Sequence, residues 1–150
     1  MNIKTFINKN KKNIFKVRVD DKIIFAGPFI AFIPKDKEEE QVFEKKLTLS
    51  EEPIPKFLKN NFKKLLSYQF IEIKNIKPED FDQEFYNINQ QFLKSISKKE
   101  WKNTKCYFLK SPYPAMKFEI STGTIYILGY RSWLNSASFL FASKTLVVAF

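Results

Sequence analysis

Residues 13–19 read Asn-Ile-Phe-Lys-Val-Arg-Val, which sets Phe15, Val17 and Val19 on one side of an extended chain and Lys16 and Arg18 on the other. A period of two over that length is the pattern of a half-buried β-strand, and it commits the chain to building a sheet. Asp20-Asp21 follows as a short polar connection into Lys22–Ala26, and Gly27-Pro28 interrupts before Phe29–Ile33. The opening segment therefore predicts a three-stranded meander. Pro34–Gln41 reads as a charged loop, and Val42–Leu49 suits either an edge strand or a helix.

The period then changes. Ser50-Glu51-Glu52-Pro53 carries a capping serine and early acids, the signature of a helix start, and predicts a helix to about Ser67. At 100° per residue Leu58, Phe62, Leu65 and Leu66 fall on one side of it, with Lys56, Lys59, Asn60, Lys63 and Lys64 opposite. Tyr68–Lys74 returns to strand. Pro78 opens a second helix in which Phe81, Phe85, Ile88, Phe92 and Ile96 recur every three or four residues, with Glu79, Asp80 and Asp82 in its first turn. Ser97-Lys98-Lys99-Glu100 matches a capping box and predicts a short helical continuation to Trp101.

Beyond Asn103 the alternation resumes at Lys105–Lys110, Met116–Ser121 and Thr124–Tyr130. Thr122-Gly123 is the expected turn of a tight hairpin, pairing Glu119 with Tyr126 and Ile120 with Ile125. Ser138–Ala142 and Thr145–Phe150 read as a final buried pair. The fold expected is a single α+β domain over residues 1–150, a mostly antiparallel sheet carrying two amphipathic helices.

Composition narrows the chemistry. The chain of 150 residues has no histidine, so serine–histidine, cysteine–histidine and two-histidine mechanisms are excluded. Its single cysteine, Cys106, allows neither an internal disulfide nor a four-ligand structural zinc, and is read as a small buried hydrophobe. Gly27, Gly123 and Gly129 are too far apart to form a phosphate-cradling loop. No cofactor and no metal are expected. The basic segment Met1–Lys12 lacks the apolar block of a secretory signal, and Arg131, Asn135 and Lys144 break up the apolar C-terminal run, so the expectation is a cytoplasmic protein without a membrane span.

The formal charge is +10, from 26 basic and 16 acidic residues. It is distributed in blocks: 1–19, 53–77 and 93–150 are basic, and 20–52 and 78–92 are acidic. A basic balance of this kind points to a polyanionic partner. Only Arg18 and Arg131 are arginines, and bidentate readout of guanine edges is chiefly arginine chemistry, so contacts to phosphate are favoured over base recognition. The abundance of Lys, Asn, Ile and Phe is also what AT-rich coding produces.

Four groups of residues are candidates for function. Lys56, Lys59, Lys63 and Lys64 form one basic ridge, and Trp101, Lys102, Lys105 and Tyr107, continuing to Lys110 and Tyr113, interleave bases with aromatics. Lysines neutralise phosphates while exposed rings stack on unpaired bases. Tyr86 and Leu93 lie about 120° from the main stripe of the second helix and offer a face to a protein partner. Lys117, Glu119, Tyr126, Tyr130 and Arg131 could gather on one face of the last hairpins, the makings of a histidine-free ribonuclease. Glu72-Ile73-Lys74 has the E-x-K spacing of some Mg²⁺-dependent nucleases, but an alternating strand generates that spacing by itself.

These residues make a non-enzymatic binder of RNA or single-stranded DNA the leading expectation, docking on the phosphate backbone. The alternatives are an inhibitor or adaptor, encoded by a phage or mobile element, that binds a host nuclease or nucleic-acid-loaded defence complex, and the ribonuclease.

Overall fold

The computed structural model describes residues 2–10, 14–74 and 90–128. The expected α+β architecture is present. A seven-stranded sheet is formed by β1 (Phe15–Val19), β2 (Lys22–Ala26), β3 (Ile30–Pro34), β4 (Ile71–Ile73), β5 (Lys105–Leu109), β6 (Ala115–Ile120) and β7 (Gly123–Leu128). Every pairing is antiparallel and the spatial order is β1-β2-β3-β7-β6-β5-β4. An N-terminal meander and a C-terminal group of strands therefore meet at β3 and β7, where Ile30 pairs with Ile127 and Pro34 with Gly123.

Both faces of the sheet carry a hydrophobic cluster, because apolar side chains project to both sides of its strands. On β7, Ile125 and Ile127 enter one hydrophobic cluster while Tyr126 and Leu128 enter the other. The first face carries α1 (Ile3–Asn10), α2 (Lys37–Glu44), a 3₁₀ helix (Gln90–Ser95) and α4 (Lys98–Trp101), through Phe6, Phe43, Leu93, Ile96 and Trp101. The second carries α3 (Lys56–Ser67), through Leu58, Phe62 and Leu65.

Helices α1 and α2 replace what the sequence presents as a charged segment and a charged loop. In α2 the Asp36 carboxylate accepts a hydrogen bond from the Glu39 N–H at 2.9 Å, and Glu38, Glu39 and Glu40 occupy the first turn, where the helix dipole favours anions. One apolar residue anchors it: Phe43 packs against the rings of Phe6, Phe25 and Phe32 at centroid distances of 5.4, 5.1 and 4.6 Å. Lys16 ties the helix to β1 through Glu44 at 2.9 Å and Glu40 at 3.6 Å, and the hydrogen bond it donates to Glu44 raises its pKa.

Two further expectations are corrected. Helix α3 begins at Lys56 after Pro55; the Ser50 hydroxyl instead accepts from the Glu52 N–H within a preceding turn. The β6–β7 hairpin turns at Ser121-Thr122, so Glu119 pairs with Thr124 and Lys117 with Tyr126. That is a slip of two residues, which leaves every side chain on its expected face. Its cause is Gly123, which lies in the strand: a Cβ there would sit 2.2 Å from the Ile33 carbonyl oxygen, so the glycine serves close backbone approach. The left-handed turn residue is in the first hairpin, where Asp20 adopts φ 56°, a conformation aspartate tolerates.

The capping box is present as read, with the Glu100 carboxylate accepting from the Ser97 N–H at 3.4 Å and also from its hydroxyl at 2.9 Å. Most of the second helix, with Phe81, Phe85 and Ile88, lies outside the described residues, as do Ser138–Ala142 and Thr145–Phe150. Among the described residues no helix is long and apolar enough to cross a membrane.

Gly123→Ala is expected to destabilise the fold by about 3 kcal/mol, the upper range for overpacking, because backbone has to move. Phe43→Ala should cost about 3–5 kcal/mol while Val42→Ala, at an exposed neighbour, stays within about 0.5 kcal/mol. Urea unfolding of the three variants measures all of these.

Candidate functional site

The four lysines of α3 stand where helical spacing puts them. Leu58, Asn61, Phe62 and Leu65 are buried against the sheet, and Lys56, Lys59, Lys63 and Lys64 are all exposed on the opposite side. Among the described residues none of the four has a carboxylate within ion-pair distance. Part of the ridge works against its own helix: the first turn holds Lys56 and Lys59 and no acid, where the positive end of the helix dipole disfavours cations, while Lys64 in the last turn suits the dipole. Lys59 and Lys63 also repel at i,i+4 spacing.

Helix α3 covers the sheet face mainly over the N-terminal meander. The same face of β4 to β7 is built from two cross-strand rows. Glu72, Tyr107, Lys117 and Tyr126 lie side by side in register, and next to them run Lys105, Glu119 and Thr124. The Lys117 ammonium sits 4.9 Å from the centroid of the Tyr107 ring and 3.8 Å from Glu119 Oε1. Phe70, just before β4, packs edge-on against Tyr126 at 5.7 Å and lies 6.0 Å from the same ammonium. A ring flanked by a cation and a carboxylate is held in place on both counts.

Burial pushes the Tyr126 phenol up to about 12, with the Glu119 charge adding to it. Desolvation also raises Tyr107, reinforced by the charge of Glu119 and by a hydrogen bond to it. Both phenols are protonated near neutral pH. They can donate hydrogen bonds and stack, but neither supplies a base. Of the ribonuclease grouping, Lys117, Glu119 and Tyr126 come together; Tyr130 and Arg131 lie outside the described residues.

The run from Trp101 to Tyr113 does not form one strip. Lys105 and Tyr107 belong to the α3 side of the sheet, whereas Trp101 is partly buried on the other, its ring edge-on to Phe118 at 5.8 Å. Lys102 follows it, exposed, at the end of α4. Trp101 and Tyr107 therefore cannot stack on one stretch of the same strand. Tyr113 is a core residue, its phenol raised by burial and by Tyr68.

Leu93 is 4% exposed and packs in the core, so it presents no surface to a partner; Tyr86 lies outside the described residues. The physical reason is local pitch. Where the chain tightens to three residues per turn, side chains at i and i+3 eclipse, and Leu93 comes out beside Ile96. Cys106 is buried as read, and desolvation lifts its thiol to about 12. Among the described residues no group of three metal-ligating side chains exists, and Glu72 and Lys74 stand exposed at the sheet edge.

One residue of the site was missed as a partner of the lysines. The sequence groups Lys117 with catalytic candidates, whereas in the fold it is the cation that joins Tyr107, Glu119 and Phe70 on the α3 side. Cross-strand register is the signal that places it there.

No family model matches the chain, and neither a curated protein nor a solved structure is similar to it.

Because Cys106, Tyr107, Tyr113 and Tyr126 hold their protons more tightly folded than unfolded, stability is complete below their ordinary values and is lost as pH rises through them. Urea midpoints should hold from pH 7 to about 9 and decline steadily towards 12. Tyr126→Phe should remove on the order of 2 kcal/mol of that decline.

Proposed function

We propose that this chain is a non-enzymatic binder of RNA or single-stranded DNA, docking on the phosphate backbone with the α3 side of its sheet. The observation that carries the reading is the ridge Lys56, Lys59, Lys63 and Lys64, exposed and unpaired, on the same side as Lys105, Tyr107 and Lys117. Lys56 and Lys59, at the wrong end of the helix, weaken the fold, and a polyanion that takes up their charge accounts for them.

The mechanism is counterion release. Each lysine that meets a phosphate frees a condensed cation, so affinity is set by salt and by the number of lysines engaged. Tyr107 adds a ring for an unpaired base. Base identity is read weakly, since 24 of the 26 basic residues are lysine. Lys102 and Trp101, on the far side, take no part in this surface.

Fluorescence anisotropy with a labelled single-stranded 20-mer tests the reading. Replacing all four ridge lysines with alanine is expected to weaken binding and to lower the slope of log affinity against log salt by about 3. Lys56→Glu should bind less tightly yet unfold at higher urea, because it satisfies the helix dipole by a few tenths of a kcal/mol. An unchanged salt slope in the fourfold variant removes the ridge from the interface.

A further inference from the structure

The sheet opens at one end, between β2 and β3. Their pairing consists of Phe25 with Phe32 and Ala26 with Ala31, and it stops there although both strands continue. The hydrogen-bonded positions on this side of β3 alternate from the turn, where the Gly27 N–H donates to the Ile30 carbonyl at 2.9 Å, through Phe25–Phe32. Next in that series comes Ile23 opposite Pro34, and proline has no N–H to give. The strands part, and a cleft of about 590 Å³ lies between the β1–β2 hairpin, the start of α2 and the β6–β7 turn.

The lining of this cleft is balanced in formal charge, but its cations are less engaged than its acids. Arg18, Lys22, Lys35 and Lys37 line it, and among the described residues none of them has a carboxylate within ion-pair distance. Three of the four acids that share the lining are already engaged. Asp36 caps α2, Glu40 is paired with Lys16, and Glu119 is paired with Lys117; Asp21 is the fourth. Glu119 also makes the cleft continuous with the Tyr107–Lys117 surface, since it borders both. Arg18, one of the two arginines of the chain, supplies the planar fork suited to a phosphate.

We infer that this cleft binds a terminal phosphate group. A phosphomonoester carries close to two negative charges at neutral pH, against one for each phosphodiester inside a strand, so a concave cluster of free cations selects the end over the middle. The source of that phosphate rests on the nucleic-acid reading: a strand lying over Lys105, Tyr107 and Lys117 brings its end to the cleft.

The test compares one single-stranded 20-mer carrying a 5′-phosphate, a 3′-phosphate or hydroxyls at both ends. The expected result is about tenfold tighter binding of one phosphorylated form, lost in the Arg18→Ala/Lys35→Ala double variant while affinity for the hydroxyl form is kept. Both residues are exposed, so the variant should fold. Equal affinity for all three forms overturns the inference and leaves the ridge reading standing. If no 20-mer binds, the docking reading fails, and the cleft is judged separately by thermal unfolding with inorganic tripolyphosphate. Stabilisation present in the wild type and absent in the double variant supports a phosphate site; no stabilisation overturns it.

Discussion

Everything in this fold depends on the pairing of β3 with β7. It joins strands nearly a hundred residues apart, Ile30 to Ile127, and without it the two halves of the sheet are separate sets of strands with open edges. The seam is bonded past the strands themselves, by the Leu128 N–H to the Phe29 carbonyl at 2.8 Å and the Lys35 N–H to the Thr122 carbonyl at 3.0 Å. Gly123 lets the backbones close where Ile33 crosses, and its place in the strand moves the turn to Ser121-Thr122. The consequence for the surface is direct, because the seam sets the Tyr107–Lys117 rows beside α3 on one continuous face.

That surface shows a division between what holds the fold and what faces outward. Lys16 is a structural cation, bound by two carboxylates of α2, and Lys117 is held by Glu119 and the Tyr107 ring. The α3 lysines and those of the cleft have no such partners among the described residues. Charge count alone treats all of these as equal. Pairing separates them, and it is the unpaired set that can release counterions to a polyanion.

Period was the most legible property of the sequence. Alternation and the turn residues between apolar runs located all seven described strands, and helical spacing put Leu58, Phe62 and Leu65 on the buried side of α3 and its four lysines on the exposed side, but left out the buried Asn61. What it missed has particular causes. Helix α2 buries one large side chain, Phe43, so its stripe is too thin to register, and its evidence lay in Asp36 and the glutamates after it. Leu93 was misjudged because a 3₁₀ turn rotates side chains by 120°, not 100°. Trp101 and Tyr107 read as neighbours along the chain, but the alternation of β5 and the packing of α4 send them to opposite faces. The cleft was invisible, since Pro34 looks like a loop residue until its lost hydrogen bond is placed opposite Ile23.

The long span of the β3–β7 seam has a consequence on the ribosome. By the time β3 emerges, its partner strand is some ninety residues from being made, which at about 5–20 residues per second is roughly 5–20 seconds. Throughout that interval Ile30, Ala31, Phe32 and Ile33 present an apolar strand with one open edge, the kind of segment that recruits other nascent chains. Pro34 ends that strand, but its missing N–H faces β2, so the proline that opens a cleft in the finished protein leaves the edge awaiting β7 with all its donors while the protein is being made.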